Sequence, residues 1–341
     1  MPAVSLCIKM ISFYSRWSCV WALSLAFLVQ GHASMSQERE SDGPTLAGTV
    51  SINVRVVDIY FTVRDRRGQF IPNLPQSEFT ALENNVPQNI SYFSAEPSAG
   101  LTLGLLVDTS PSQSKVLAYQ QRVGKAYLRD VLLPKDSALI ATVDSSVRIV
   151  QDLTHEKPQL ERAIDSLKVG DPTPGLRDQH AGNAQIRGTI VRDAIHIISE
   201  QRFAHEHGRK ALIVLTDGED FGSQLDIAQA IRAAQLADVI CYVLLMADPH
   251  YYYSIGYNES LKGEGEMKKL ASQTGGKLIK VGAKIERLQA AFDLIANELR
   301  HHYSIGYAAT DKSLDGSFRR LAIKTKHGYK IQVRDGYYAL P

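Results

Sequence analysis

Asp108, Ser110 and Ser112 occupy alternate positions where the apolar run GLLV gives way to DTSPSQS. A second carboxylate, Asp217, ends another apolar run in VLTDGED, and Thr189 stands in RGTIVRDAI just ahead of an amphipathic stretch. Every member of this set offers oxygen, and no His, Cys or Met belongs to it. All-oxygen ligation selects a hard cation, Mg2+ first and Mn2+ or Ca2+ next. Each residue also has an ordinary use, because Asp and Ser after a strand cap helices and Thr189 could cap its own. The combination is more specific than any member, since each stands at a strand end or a helix start. Asp108 would also suit an aspartyl nucleophile in phosphoryl transfer, with Mg2+ on Asp217. That chemistry wants a Lys at a neighbouring strand end, and Lys115 lies instead on the first helix, facing away.

These residues need a scaffold that brings strand ends together. Between residues 101 and 281, apolar runs (101–107, 137–143, 147–151, 210–216, 238–246 and 277–281) alternate with amphipathic segments (113–132, 155–168, 190–203, 223–237, 258–273 and 284–300). Continuously apolar strands joined by helices make a parallel sheet covered on both faces. VDSSV is too short for a helical crossover, so the second and third runs form a hairpin and leave one antiparallel edge strand. In such a sheet ligands sit beyond the carboxyl ends of the strands, where Asp108 and Asp217 fall.

On either side the pattern is all-β. Ile52, Val54 and Val56 alternate, then Ile59, Phe61 and Val63, with a change of phase near Val56 that suggests a bulge or break. LPQSEFTALENNVPQNISYF predicts two more short strands around Asn84-Asn85, and three strand-like stretches follow Tyr303. The fold class is therefore α/β: a doubly wound, mostly parallel sheet inserted in or flanked by a small all-β sandwich. Two independent β modules are the alternative. YSIGY occurs at 253–257 and 303–307 without any fixed period, which is coincidence and not a repeat.

Bulk properties narrow the function. The 341 residues carry 38 Lys and Arg against 36 Asp and Glu, a net charge of +2, so no electrostatic footprint for nucleic acid exists. Arg319, Arg320, Lys324, Lys326 and Lys330 alternate with apolar residues and read as a solvated strand face. Lys9 and Arg16 precede an apolar run at 17–29, about 13 residues and short of a bilayer span, and small residues Gly31 and Ala33 follow. This reads as a signal peptide over 1–33 with a linker at 34–47, the alternative being an uncleaved anchor. Export to the periplasm or cell surface, with no membrane span after cleavage, follows. Cys241 is then the sole cysteine, a small buried hydrophobe in VICYVLLM.

The motif Asp108-Thr109-Ser110-Pro111-Ser112, with Thr189 and Asp217, resembles the metal-ion-dependent adhesion site of von Willebrand factor A domains. The order of elements from 101 to 300 is similar to that family as well. TVRDRRGQFIPNLPQSEF before it, and YSIGY then FRRLAIKT after it, resemble a narrower group of exported bacterial proteins. The resemblance implies a von Willebrand factor A domain at 98–300 between β segments at 48–97 and 301–341. It implies direct metal ligation by Ser110, Ser112 and Thr189, with Asp108 and Asp217 acting mostly through water. A cation held by neutral hydroxyls keeps charge to spare, so an Asp or Glu from a protein or peptide partner completes its coordination. The implied function is docking, not catalysis. Movement of the last helix, 284–300, is implied by some members. Pro111 fixes its own φ and restricts Ser110.

Other residues carry weaker readings. Tyr252 and Tyr257, in ADPHYYYSIGYNES, are candidate partner anchors on the same rim. Asp220 reads as a cap or helix-dipole residue and Asp144 as a turn former. His205, Glu206 and His207 lie at a helix end and do not make a zinc pattern. No G-x-S-x-G, P-loop or strand-following G-x-G-x-x-G is present. The competing functions are a Mg2+-dependent phosphohydrolase and a structural envelope module with a vestigial metal site.

Overall fold

The computed structural model describes residues 56–95, 99–170, 188–246, 257–282 and 284–340, without the side chains of 257–261 and 285. The leader, the linker, Tyr252, the Tyr257 side chain and the first YSIGY copy lie outside the described residues.

Six strands form the central sheet in the order β10-β9-β8-β5-β6-β7. They are β5 (Leu101–Asp108), β6 (Ser137–Val143), β7 (Val147–Thr154), β8 (Arg209–Thr216), β9 (Val239–Leu245) and β10 (Leu278–Lys280). All neighbours are parallel except β6 and β7, the hairpin expected from VDSSV. Alternation along β5 feeds two cores. Leu101, Leu103, Leu105 and Val107 pack on one face against α1 (Leu117–Val131), α2 (Lys157–Ser166) and α6 (Ile285–Arg300). Leu106 and the β8 residues Leu212 and Val214 face the other way, against α3 (Val191–Ile198), α4 (Ile227–Leu236) and α5 (Tyr257–Gln273). Strands buried on both faces read as unbroken apolar runs for this reason.

The flanking strands make two four-stranded sheets, β13-β1-β11-β4 and β14-β12-β2-β3. They comprise β1 (Val56–Arg64), β2 (Phe79–Glu83), β3 (Val86–Gln88), β4 (Ile90–Ser94), β11 (Tyr303–Ala308), β12 (Phe318–Thr325), β13 (Lys330–Val333) and β14 (Gly336–Tyr338). β1 pairs with β11 and β13, and β2 with β12, so strands from both sides of the α/β layer interleave. Ile59, Phe61, Phe79, Tyr303, Ile305, Tyr307 and Ile323 fill the space between the sheets. Phe61 meets Phe79 edge-on at 5.2 Å and stacks on Tyr303 at 5.5 Å.

Three details correct the sequence reading. The stretch around Asn84-Asn85 yields three strands instead of two. Asn84 and Asn85 take φ of 47° and 66°, which closes the β2–β3 hairpin tightly, and the chain then crosses to the other sheet as β4. The final stretch KIQVRDGYY likewise divides between the sheets at Arg334-Asp335. Arg319 does not belong to a solvated face. It is 2% exposed and sits between Glu83 at 3.3 Å and Asp311 at 2.5 Å, while Tyr307 and Tyr337 donate to the other Glu83 oxygen at 2.8 Å. A buried guanidinium persists only with such partners. Across the segment, β1 keeps one register from Val56 to Phe61 against β11, and Val56 is exposed where Val57 turns inward.

His302, between α6 and β11, is buried, and its Nδ1 finds no hydrogen-bond partner among the described residues. Burial first, then the charges of Arg209 and His301, push it down to about 3. Its folded value lies below the unfolded value of about 6.5, so its stabilising contribution is complete above that pH and is lost as pH falls towards 3. Between pH 6.5 and 5, wild type is expected to lose about 2 kcal/mol more than His302→Gln in urea denaturation, at about 1.4 kcal/mol per unit. Equal losses would show that the imidazole does not titrate in this way.

Candidate metal and partner site

The order β10-β9-β8-β5-β6-β7 reverses direction between β5 and β8, and the two strands end side by side. Asp108 closes β5 and Asp217 follows β8 directly. Such a reversal opens a crevice beyond the carboxyl ends of the strands.

Four of the sequence-predicted residues form one hydrogen-bonded chain. The Ser110 amide donates to Asp108 Oδ1 at 2.9 Å, the Ser110 and Ser112 hydroxyls lie 3.0 Å apart, and Ser112 Oγ donates to Asp217 Oδ2 at 2.6 Å. A hydroxyl has one proton. Ser112 spends its proton on Asp217, so Ser110 donates to Ser112. The hydroxyl lone pairs left over are what a hard cation needs. Ser110 opens the short 3-10 turn Pro111–Lys115 without capping it through its side chain, and Pro111 takes the first turn position, where proline is favoured. Ser110 accordingly has φ −61° and ψ 159°, the extended backbone that a following proline selects. Thr189 does not cap α3 either, since Ile190 holds that position. The capping explanation fails for both hydroxyl residues.

Thr189 is placed by its backbone. Its carbonyl accepts from the Gly222 amide at 3.3 Å, and the next amide, Ile190, donates to the Asp144 carbonyl at 3.0 Å. The Thr189 hydroxyl makes no hydrogen bond to the other four among the described residues. Asp144 does more than form a turn. Arg148 pairs with its carboxylate at 2.5 Å and Thr109 Oγ1 reaches it at 3.4 Å, which ties the β6–β7 turn to the Asp108 loop. Asp220 behaves as a cap in trans, accepting from the Arg192 amide of α3 at 2.8 Å.

Several positioning residues escaped the sequence reading. Thr216 Oγ1 donates to Asp108 Oδ2 at 2.9 Å and accepts from the Gly218 amide at 3.0 Å. Gln113 Nε2 donates to Asp217 Oδ2 at 3.0 Å, and Gln120 Nε2 donates to Gln113 Oε1 at 3.2 Å. Gln113, in the 3-10 turn, and Gln120, in α1, are both buried polar residues, and their spacing of seven within an amphipathic stretch was the available signal. Beneath them Gly218 holds φ of +86°, and a Cβ on Gly263 of α5 would lie 2.0 Å from the Gly218 carbonyl oxygen. The helix backbone therefore braces the loop that carries Asp217. Gly263→Ala is expected to cost about 1–3 kcal/mol by overpacking, and to weaken the binding of any cation that Asp217 helps to hold. Gly265→Ala, with nothing within 4 Å, is the control and should change neither adversely. Thermal melts with and without Mg2+ check both.

Burial first, and the charge of Asp217 second, push the Asp108 carboxyl up to about 7, against hydrogen bonds from Ser110 and Thr216. Two carboxylates this close repel, and each favours the neutral form of the other. No group of three or more His, Cys, Asp or Glu side chains comes together among the described residues. The described crevice residues offer two carboxylates and hydroxyls, the oxygen donors that hard cations accept. Cys241 is fully buried, and burial pushes its thiol up to about 12, as an inert core residue requires.

No protein-family model matches the chain, and no curated protein matches it. Solved structures similar to it include the conserved hypothetical protein BatB from Bacteroides thetaiotaomicron, 19% identical over 59% of this chain and 97% of that one, with a TM-score of 0.43. Another is a von Willebrand factor type A protein from Catenulispora acidiphila, 12% identical over 84% of this chain and 74% of that one, TM-score 0.46. A third is proximal thread matrix protein 1 of the mussel byssus with a zinc-occupied MIDAS motif, 13% identical over 64% and 50%, TM-score 0.47. On its own strand order and layering, the α/β part of this chain is a doubly wound core of the Rossmann or von Willebrand factor A-like kind.

Proposed function

We propose that the crevice between β5 and β8 binds Mg2+ and, through it, a carboxylate of a protein or peptide partner. The hydrogen-bonded chain from Asp108 through Ser110 and Ser112 to Asp217 carries this reading. Ser110, Ser112 and Thr189 would hold the ion through neutral oxygens, and Asp108 and Asp217 would balance its charge from behind. When bound, the ion supplies a Lewis-acidic position for an incoming Asp or Glu. Mn2+ or Ca2+ would be accepted by the same oxygens. In this proposal 98–300 is the binding domain, 48–97 and 301–341 form its platform, and Tyr252 and Tyr257 add contacts on the same rim. Export to the bacterial envelope belongs to the same reading. No described helix is long and apolar enough to cross a membrane.

Asp108 is a poor nucleophile. It is fully buried, and both its oxygens accept hydrogen bonds, from the Ser110 amide and from Thr216. This favours a binding module over a phosphohydrolase. Calorimetric titration of Mg2+ and Mn2+ into the full chain tests the proposal. Saturable binding, with acidic peptides captured by the loaded protein and released by chelator, is expected. Absence of heat with either ion defeats the metal reading and leaves a structural module. Hydrolysis of an aryl phosphate that Asp108→Asn abolishes would restore the enzyme.

A further inference from the structure

Phe221 is 53% exposed and stands four residues beyond Asp217. A lone exposed aromatic is ordinary on a protein surface. This one differs in how its loop is held. The Asp220 carboxylate accepts from the Ser223 amide at 3.0 Å, from Ser223 Oγ at 2.7 Å, and from the Arg192 amide and guanidinium at 2.8 and 3.1 Å. The Asp193 carboxylate accepts from the amides of Gln224 and Leu225, each at 3.0 Å from Oδ1. Gly222 donates to the Thr189 carbonyl at 3.3 Å. Below it Gly188 has φ of +147°, and a Cβ there would come within 3.1 Å of Phe221 Cβ. The backbone at 221 thus lies directly on the segment that delivers Thr189 to the crevice.

From this geometry we infer that Phe221 is a specificity-determining contact, selecting partners in which the metal-seeking Asp or Glu has an apolar neighbour; the inference rests on the proposed docking function. The loop's hydrogen bonds hold the backbone before any partner arrives, so little ordering cost attaches to using the ring. Rigid aromatic anchors beside a desolvated polar contact are the usual form of a binding hot spot. An acidic residue alone would satisfy the metal and leave the ring in water. An acidic residue next to Leu, Ile or Phe satisfies both. Burying the ring face is worth on the order of tenfold to a hundredfold in affinity.

The test uses the full chain with excess Mg2+ and, in parallel, with chelator. The probes are acetylated, amidated peptides with a central Glu or Asp flanked by Leu, by Phe or by Ser. Wild type should bind the Leu- and Phe-flanked peptides about tenfold to a hundredfold more tightly than the Ser-flanked one, only with Mg2+. Phe221→Ser should bind all of them equally, while Phe221→Leu keeps most of the preference. The Mg2+ titration of each variant, read by calorimetry without peptide, should match wild type. Preference retained in Phe221→Ser, or absent from wild type, overturns the inference. So does Mg2+ binding without capture of any peptide, which spares the metal site. A flat Mg2+ titration in wild type instead removes the docking function, and this inference with it.

Discussion

On the proposed metal site, Mg2+ stabilises the protein and Asp217→Ala is expected to abolish that stabilisation. At a hundredfold excess over its dissociation constant, a ligand specific for the folded state adds about 2.7 kcal/mol, which for a domain of this size raises Tm by roughly 5–10 °C. Asp217 accepts from Ser112 and from Gln113, and its other oxygen from the Glu219 amide at 3.1 Å. Removing it takes away charge balance and releases the Ser112 hydroxyl from its present orientation. Loss of a single residue that only orients a ligand commonly costs tenfold to a hundredfold in metal affinity, so loss of Asp217 should cost at least about a hundredfold. Gln113→Leu, which removes only one donor to the same carboxylate, should fall within that milder range. Differential scanning fluorimetry with Mg2+, Mn2+ and chelator reads all three proteins. A Mg2+-induced shift in Asp217→Ala equal to that of wild type would place the ion elsewhere and end the proposal for this crevice.

Glu298→Ala is expected to be the most destabilising change outside the crevice. Glu298 lies in the last turn of α6 with its side chain 1% exposed. Arg64 of β1 donates to it at 2.6 Å, Tyr242 of β9 at 2.9 Å, Gln332 of β13 also donates, and Lys277 lies at 3.9 Å. One carboxylate thus joins the last helix, the central sheet and the sandwich. Burial first, and the Glu298 charge next, hold the Tyr242 hydroxyl well above its ordinary range, so it stays a donor. Breaking a buried pair by deleting one partner costs about 3–5 kcal/mol, because the surviving donors lose their acceptor. Arg64 retains some relief, with 15% of its side chain exposed and its guanidinium 4.2 Å from the Phe70 ring centroid, which places the estimate near about 3 kcal/mol. Glu298→Gln keeps one acceptor oxygen and should cost less. Urea denaturation measures both; a loss below about 1 kcal/mol for the alanine variant would mean that the layers hold together by apolar contact alone.

Much of the molecule was legible in the chain. The runs at 101–107, 137–143 and 210–216 coincide with β5, β6 and β8 to within a residue or two, because burial on both faces leaves an unmistakable apolar signature. That Asp108, Ser110, Ser112 and Asp217 come together was legible for a related reason, since polar residues that break such a run stand where the strand ends. Their convergence followed from one topological rule about strand ends and needed no side-chain geometry.

What the chain alone left open concerns pairings between distant residues. Arg319 looked like a solvated cation because alternation along a strand says which residues share a face, not whether Glu83, 236 positions away, is waiting on it. Nothing in the amphipathic pattern of 284–300 marks Glu298 as the acceptor that Arg64, Tyr242 and Gln332 reach from three other elements. Gln113 and Thr216 carried no signal in the sequence that tied them to Asp217 and Asp108. Local pattern reflects the average environment of an element, water on one side and apolar neighbours on the other. The partner of a buried polar group is chosen by the folded topology, and no local period encodes it.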